Sequence, residues 1–335
     1  MLKQAVPAEF VQALQALGLC DGDHLWGTPL TGGVSSDIWC IETEAGHVCA
    51  KRALSKLRVA ADWRAPVERN LYEARWLQVA HQAQAGCAPE LLGQHAHLGV
   101  LVMRYLPPTH YRLWKTELHA GHTETAVAHA LGRMLSRVHS YAAKQPALAK
   151  EFPTDSIFFE IRLAPYLLAT ATQHPPLASA LEALVEQTQR HSKSLVHGDV
   201  SPKNILLGAQ GPVLLDAECA TWSDPAFDLA FCLNHLLLKC LWTPSASAGF
   251  LQCFQVLCQS YLHGVDWEPA QDLENRAARL LPGLLLARVD GKSPVEYITS
   301  EIQRDSVRRV ASSFLLQPAS HLHDIAQAWA KELST

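Results

Sequence analysis

Between the apolar pair Leu195-Val196 and the apolar run Ile205-Leu206-Leu207 lies His197-Gly-Asp-Val-Ser-Pro-Lys-Asn204, and a second run, Val213-Leu-Leu, ends on Asp216 with Glu218 two residues on. Short apolar runs broken by polar, Gly- and Pro-containing turns predict buried strands with functional loops at their ends. An Asp five residues ahead of an Asn, with another Asp beyond a hairpin-like segment, has the order of a phosphoryl-transfer site. In that chemistry Asp199 would accept a hydroxyl proton, while Asn204 and Asp216 would hold Mg2+ on the nucleotide ATP. The rest of the chain must then supply a phosphate-binding loop, a lysine for the phosphates and a partner that holds the lysine.

Upstream, Leu30–Ile41 joins Gly32 and Gly33 to Ser35 and Ser36 ahead of an alternating segment. Glycines let backbone amides approach a phosphate closely, and the serine hydroxyls would donate to the same oxygens; an ordinary hairpin turn has the same composition. The strand expected over Gly46–Arg52 carries Lys51 near its end. A helix follows over Pro66–Ala80, with Val67, Leu71, Ala74 and Leu77 or Val79 on its apolar face. Glu68 and Glu73 both lie on it as partners for Lys51, and Glu73 is preferred. Strands are expected over 90–97 and 98–106, the second ending at Pro107-Pro108, a rigid breaker suited to a hinge. Residues 1–106 would form a nucleotide-binding lobe and 107–335 a catalytic and substrate-binding lobe, with Met103, Tyr105 and Leu106 at the crossing where adenine docks.

Beyond the hinge the periodicity is helical, over 125–139 and 177–186 and nearly throughout 232–335, with loops at 242–249 and around Pro282. Asp224, before Pro225, would cap a helix. Asp228, inside the apolar start of that helix, would need backbone amides, and those of the His197–Asn204 loop are the expected donors. Asp290-Gly-Lys-Ser293 imitates a phosphate loop but lacks its preceding glycine, at Leu286, and its strand. Arg288, Asp290 and Lys292 are candidates for a substrate-recognition loop or for a solvated helix end.

With 28 basic and 32 acidic residues the chain has no basic excess to mark a nucleic-acid partner. The apolar stretches are too short and too interrupted to span a membrane, and no secretory signal opens the chain. Nine cysteines without a CxxC pair suit reduced thiols, and the expected location is cytoplasmic. None of the histidines falls in a metal-ligand spacing such as HExxH.

Taken together, these residues resemble the aminoglycoside phosphotransferase and choline kinase-like family of small-molecule kinases. His197–Asn204 is similar to that family's HGDxxxxN motif, Leu215-Asp-Ala-Glu218 to its magnesium-binding segment and Asp224-Pro-Ala-Phe-Asp228 to its DPxxD. The resemblance covers roughly 25–240 and implies an α+β, protein-kinase-like two-lobe fold with an antiparallel sheet lobe and a mostly helical lobe. It makes Asp199 the catalytic base, Asn204 and Asp216 the magnesium ligands, Lys51 the phosphate-binding lysine and Glu73 its partner, with His197, Glu218 and Asp228 in support. Gly198 in place of the protein-kinase Arg, and Ala217-Glu218 after Asp216, point to a small hydroxylated substrate rather than a protein. From Tyr261 to Thr335 ten acidic residues face eight basic ones, which disfavours a polycationic acceptor; Arg288, Lys292, Arg304, Arg308 and Arg309 would suit an anion if they face the cleft. The rivals are a catalytically silent kinase-shaped binding protein, which would lack one of these parts, and a hydrolase built on His197, Asp199 and Ser201, for which no GxSxG elbow exists.

Overall fold

The alternating strands of the first hundred residues need a core on each face, and they have one. In the computed structural model, which describes residues 3–30, 35–56 and 66–334, β1 (Gln4–Ala5), β2 (Trp26–Pro29), β3 (Ser36–Thr43), β4 (Gly46–Ala53), β5 (Leu91–His95) and β6 (Val100–Arg104) form one antiparallel sheet in the order β1-β2-β3-β4-β6-β5. Along β4 the side chains alternate. Val48 and Ala50 join Phe10, Val11 and Leu14 of α1 (Ala8–Ala16) in a small core. Cys49 packs on the main core instead, which includes Leu101, Met103 and the helix α2 (Arg69–Ala83), and Lys51 shares its side of the pleat. Gly32 and Gly33 lie outside the described residues.

The chain leaves β6 at Arg104, whose guanidinium meets Glu90 at 2.5 Å on the surface. It then builds a larger and mostly helical lobe. β7 (Arg112–Leu113), β9 (Ile205–Gly208) and β10 (Gly211–Leu214) make a three-stranded antiparallel sheet, and β8 (Ser194–Val196) pairs with β11 (Thr221–Ser223). Around them lie α3 (Trp114–His119), α4 (Thr125–Ala143), α5 (Asp155–Phe158), a π-helical segment (Phe159–Leu168), α6 (Ala169–Gln173) and α7 (Ala178–Arg190). The C-terminal helices are α8 (Ala226–Trp242), α9 (Ser247–His263), α10 (Ala270–Asp290), α11 (Glu301–Leu316) and α12 (Leu322–Glu332). The architecture is α+β in two lobes. Among the described residues no helix is long and apolar enough to cross a membrane.

α8 is the centre of the larger lobe: every residue from Ala226 to Leu241 is buried, which explains a sequence apolar almost all round. Pro282 is a correction to the sequence reading, because it lies inside α10 rather than in a loop. Its missing N–H and ring clash disfavour a helix interior, yet the segment is buried on every side, with Leu280, Leu281, Leu284 and Leu285 in the main core, and that burial outweighs the local penalty. α4 packs on α9 at Gly132, where an added Cβ would stand 2.5 Å from the Leu257 carbonyl oxygen and 3.0 Å from the Tyr261 nitrogen. Backbone atoms cannot swing aside as a side chain can. Gly132→Ala should therefore lower the unfolding free energy by about 1–3 kcal/mol through overpacking, which a urea titration of both proteins would measure.

Candidate active site

The His197–Asn204 loop leaves β8 as a turn with no regular ladder, so its amides need other acceptors. Asp228 supplies them from the first turn of α8: its carboxylate accepts from His197 N at 2.7 Å and Gly198 N at 2.8 Å. The same carboxylate accepts from His139 Nε2 at 3.1 Å, and His139 Nδ1 lies 2.7 Å from the Tyr261 hydroxyl. Burial works against the Asp228 carboxylate, but His139 and the loop amide hold its pKa below the ordinary value. Asp224 lies one turn earlier, accepting from Ala226 N at 3.0 Å and from Arg276 of α10 at 2.8 Å.

Glycine at 198 has a steric cause. Its φ is +78°, and a Cβ would stand 2.8 Å from both the Cβ and the carbonyl oxygen of Cys219, so no L side chain fits. His197, with burial lowering its pKa, accepts the Asp199 N–H on Nδ1 at 3.1 Å and donates from Nε2 to the Leu215 carbonyl at 3.0 Å. One neutral imidazole thus ties the loop of Asp199 to that of Asp216. The Trp76 ring meets it edge-on with centroids 4.8 Å apart. Asn204 donates from Nδ2 to the Asp199 carbonyl at 3.1 Å, and its own carbonyl accepts from Leu215 N at 2.8 Å.

Asp199 is 4% exposed. Its Oδ2 meets Arg162 at 2.8 Å and Lys203 at 3.3 Å. Burial pushes the carboxyl up, but Lys203 and Arg162 more than offset this and hold it well below the usual carboxylate range. Arg162, absent from the sequence reading, comes from the π-helical segment and also donates to the Gly198 carbonyl at 2.6 Å. π-helical turns are rare, often functional, and this one contains Pro165; a Pro three residues from a helical Arg was the available signal.

Lys51 is shared. Its ammonium donates to Glu73 at 2.7 Å and to Asp216, while Glu68 is exposed. Burial lowers the Lys51 pKa, but Asp216 and Glu73 raise it further than burial takes away, so it stays charged. One cation cannot serve a buried Glu73 and a partly exposed Asp216 equally. Burial pushes Glu73 up to about 7 against the pull of Lys51, while Asp216, held by Lys51 and then Lys203, stays below the ordinary range in spite of burial. Among the described residues Asp216 is the one non-glycine with a positive φ, +66°, a strained conformation that needs surrounding support.

Arg69 gives part of that support. Fully buried at the start of α2, it donates to Glu218 at 2.9 Å, to the Ser35 carbonyl at 2.6 Å and to the Leu54 carbonyl at 2.7 Å. Glu218 is thereby anchored, and Ser35 is held by its backbone. Ser36 opens β3 with its Oγ buried and without a partner among the described residues. Met103 is a ladder residue opposite Cys49, and Tyr105 and Leu106 lie just past the end of the ladder at Arg104.

Of the candidates at the end of α10, Arg288 lines a cavity of about 270 Å3 that also contains Asp199. Asp290 is instead engaged by His174 at 2.7 Å and Arg308 at 2.7 Å, and neither it nor Lys292 lines that cavity. Arg304 and Arg308 pair with Glu301, and Arg309 with Glu332. These arginines serve local ion pairs, so the C-terminal positive charge is not gathered at the cleft as the sequence allowed. Removing Asp228 would orphan two buried amides. Asp228→Ala should cost about 3–5 kcal/mol, read as a lower denaturant midpoint at neutral pH. Because the folded pKa is depressed, this difference should be full above the ordinary carboxylate pKa and shrink as the pH falls below it.

The model described as "Phosphotransferase enzyme family" (APH) matches residues 26–252. "Probable ketoamine kinase YniA" of Escherichia coli (strain K12) is 26% identical over 185 residues, 49% of this chain and 60% of that protein; the protein of the same name from Escherichia coli O157:H7 matches to the same extent. The chain thus spans less than two thirds of the length of these relatives. Among solved structures, "Amicoumacin kinase hAmiN in complex with AMP-PNP, Ca2+ and Ami" superposes with a TM-score of 0.55 at 14% identity, covering 90% of this chain and 91% of the other. The gentamicin–APH(2")-IIa complex gives 0.50 at 14% identity, covering 98% and 96%. At such identity these two show a shared protein-kinase-like fold. With the family match running from β2 through α8 and across every loop described above, the chain belongs to the APH phosphotransferase enzyme family.

Proposed function

We propose that the protein is a small-molecule kinase that transfers the γ-phosphoryl group of ATP, with Mg2+, to a hydroxyl of a small metabolite. The observation that carries this reading is Asp199: a buried, ionised carboxylate at a cavity wall, pinned through Oδ2, and tied through His197 to the loop of Asp216 in the Lys51–Glu73–Asp216 cluster. Its Oδ1 accepts from no described residue, which leaves an oxygen for an acceptor hydroxyl. Residues 1–106 would hold the nucleotide, with adenine against the backbone of Met103 to Leu106, and 107–335 the acceptor.

The donor set suits magnesium. Among the described residues no group of three or more His, Cys, Asp and Glu side chains could hold a metal, but Mg2+ is ordinarily bound by one or two carboxylates together with substrate phosphates and waters. Asn204 has its Nδ2 fixed on Asp199, leaving the amide oxygen as a hard ligand, and Asp216 is the carboxylate beside it. When bound there, the ion would neutralise charge on the phosphates. Lys51 would bind the same phosphates and draw its charge partly away from Glu73 and Asp216.

The acceptor oxygen forms its bond to the γ-phosphorus as the bond to the β–γ bridging oxygen breaks, and ADP leaves. Arg162 and Lys203 make Asp199 a weak base, which suits a loose transition state in which the hydroxyl loses its proton late. Asp199 then acts by orienting the hydroxyl, with the proton passing through it to solvent. Asp199→Ala should reduce turnover by about 10²–10⁴ with ATP affinity nearly unchanged; unchanged turnover at saturating substrates would remove the base assignment. Asp216→Asn should weaken Mg-ATP binding, and a calorimetric titration that matches the wild type would sink its role as a metal ligand.

A further inference from the structure

The cavity that Asp199 lines is walled by α8, the end of α10 and the loop after it, through residues that include His235, Lys239, Arg288 and Tyr297. At about 270 Å3 it lies at the small end of ligand sites. Its charge balance is informative. Glu296 is paired with Lys115 and Asp199 with Arg162 and Lys203, so both wall carboxylates are already neutralised. Lys239 is 1% exposed and makes no hydrogen bond or ion pair with any described residue; its Nζ lies 3.8 Å from the ring centroids of both Trp242 and Tyr297. Arg288 is held through one nitrogen by Tyr166 at 3.0 Å and by Ser293.

Buried polar atoms without partners are costly, and a cluster of them needs an explanation. Among the described residues nine such side-chain atoms occur, and four of them, Ser201 Oγ, His235 Nε2, Arg288 Nε and Tyr297 Oη, belong to residues that line this one cavity. His235 and Lys239 stand one helical turn apart on the same face of α8. An enclosed lysine and Arg288 border a common space whose two carboxylates are already paired, and such a wall is complementary to a ligand negative in charge.

We propose that the acceptor is a small hydroxylated oxyanion, carrying a carboxylate or phosphate ester besides its reacting hydroxyl, and that Lys239 and Arg288 bind its anionic group, with His235 and Tyr297 completing the site. This rests on the kinase reading of the same cavity. Burial and then Lys115 push the Lys239 pKa down to about 6, with Glu296 opposing and Arg288 adding to the shift, so the empty site disfavours the charged amine. An anion that enters restores the proton, and the charge then has its partner. His235, buried beside Arg288 and Lys239, is held neutral. A polyamine acceptor would face Lys239 and Arg288 with no free carboxylate in the wall.

The test uses three-carbon probes of matched size: D-glycerate, glycerol 3-phosphate, glycerol and serinol, titrated calorimetrically with and without a non-hydrolysable Mg-ATP analogue. Either oxyanion should bind saturably, with net proton uptake at pH 7 shown by two buffers of different ionisation heat, and the better of the two identifies the anionic group. Lys239→Met should weaken that binding roughly ten- to hundredfold, abolish the proton uptake and leave nucleotide affinity unchanged. The same variant should melt higher than the wild type, by about 2 °C or more, because it removes an unpaired buried amine; a lysine kept for packing alone would give the opposite shift. No oxyanion binding up to about 10 mM, or binding indifferent to Lys239→Met, or glycerol or serinol binding more tightly than both anions, overturns the proposal. Failure of the Mg-ATP analogue to bind would overturn the kinase reading instead, and it is read in the same titrations.

Discussion

The carboxylate of Asp228 is the constraint on which the larger lobe depends. A loop that must present side chains to a cleft cannot also satisfy its own amides in a ladder, and here two consecutive N–H groups are taken by one buried anion. That anion is held in turn by His139 on α4, backed by Tyr261 on α9, and Gly132 lets those two helices approach closely enough. The position of Asp199 is thus set by the packing of three helices, and the burial of α8 from Ala226 to Leu241 keeps water from competing for Asp228.

A second polar chain links the lobes. Lys51 on β4 reaches Glu73 on α2 and Asp216 beyond β10, and Arg69 on α2 joins Glu218 to the backbone at Ser35 and Leu54. Both cations are enclosed, so their partners must stay close or leave a buried charge uncompensated. This explains how Asp216 can be kept at a positive φ. His197 adds a third tie by bridging the Asp199 amide and the Leu215 carbonyl through its two ring nitrogens.

The electrostatics divide the cleft in two. Around Asp216 and Glu73 two carboxylates share the one ammonium of Lys51, and a cation is the complement. Around Lys239 and Arg288 basic side chains line a wall whose carboxylates are already paired, and an anion is the complement. Asp199 lies between the two, ionised and fixed by Arg162 and Lys203.

Much of this could be read along the chain. The order and spacing of Lys51, Glu73, His197, Asp199, Asn204, Asp216 and Asp228 are local or periodic properties, because loops at strand ends and residues one helical turn apart are fixed by backbone geometry. The demand of Asp228 for amides also follows from an acid in an apolar helix. Other features came only with tertiary structure. Arg162 reaches Asp199 from 37 positions away in the chain, Arg69 and Arg276 are pinned by residues far along the sequence, and Pro282 stays helical because its surroundings are buried. Asp290, Arg308 and Arg309 look like site charges in sequence but find nearer partners. Lys239 left a trace, a single charge in Leu236-Leu-Leu-Lys-Cys-Leu241. That such a lysine is unpaired and borders the cavity of Asp199 depends on which helices surround α8, because charge pairing is a property of neighbours in space.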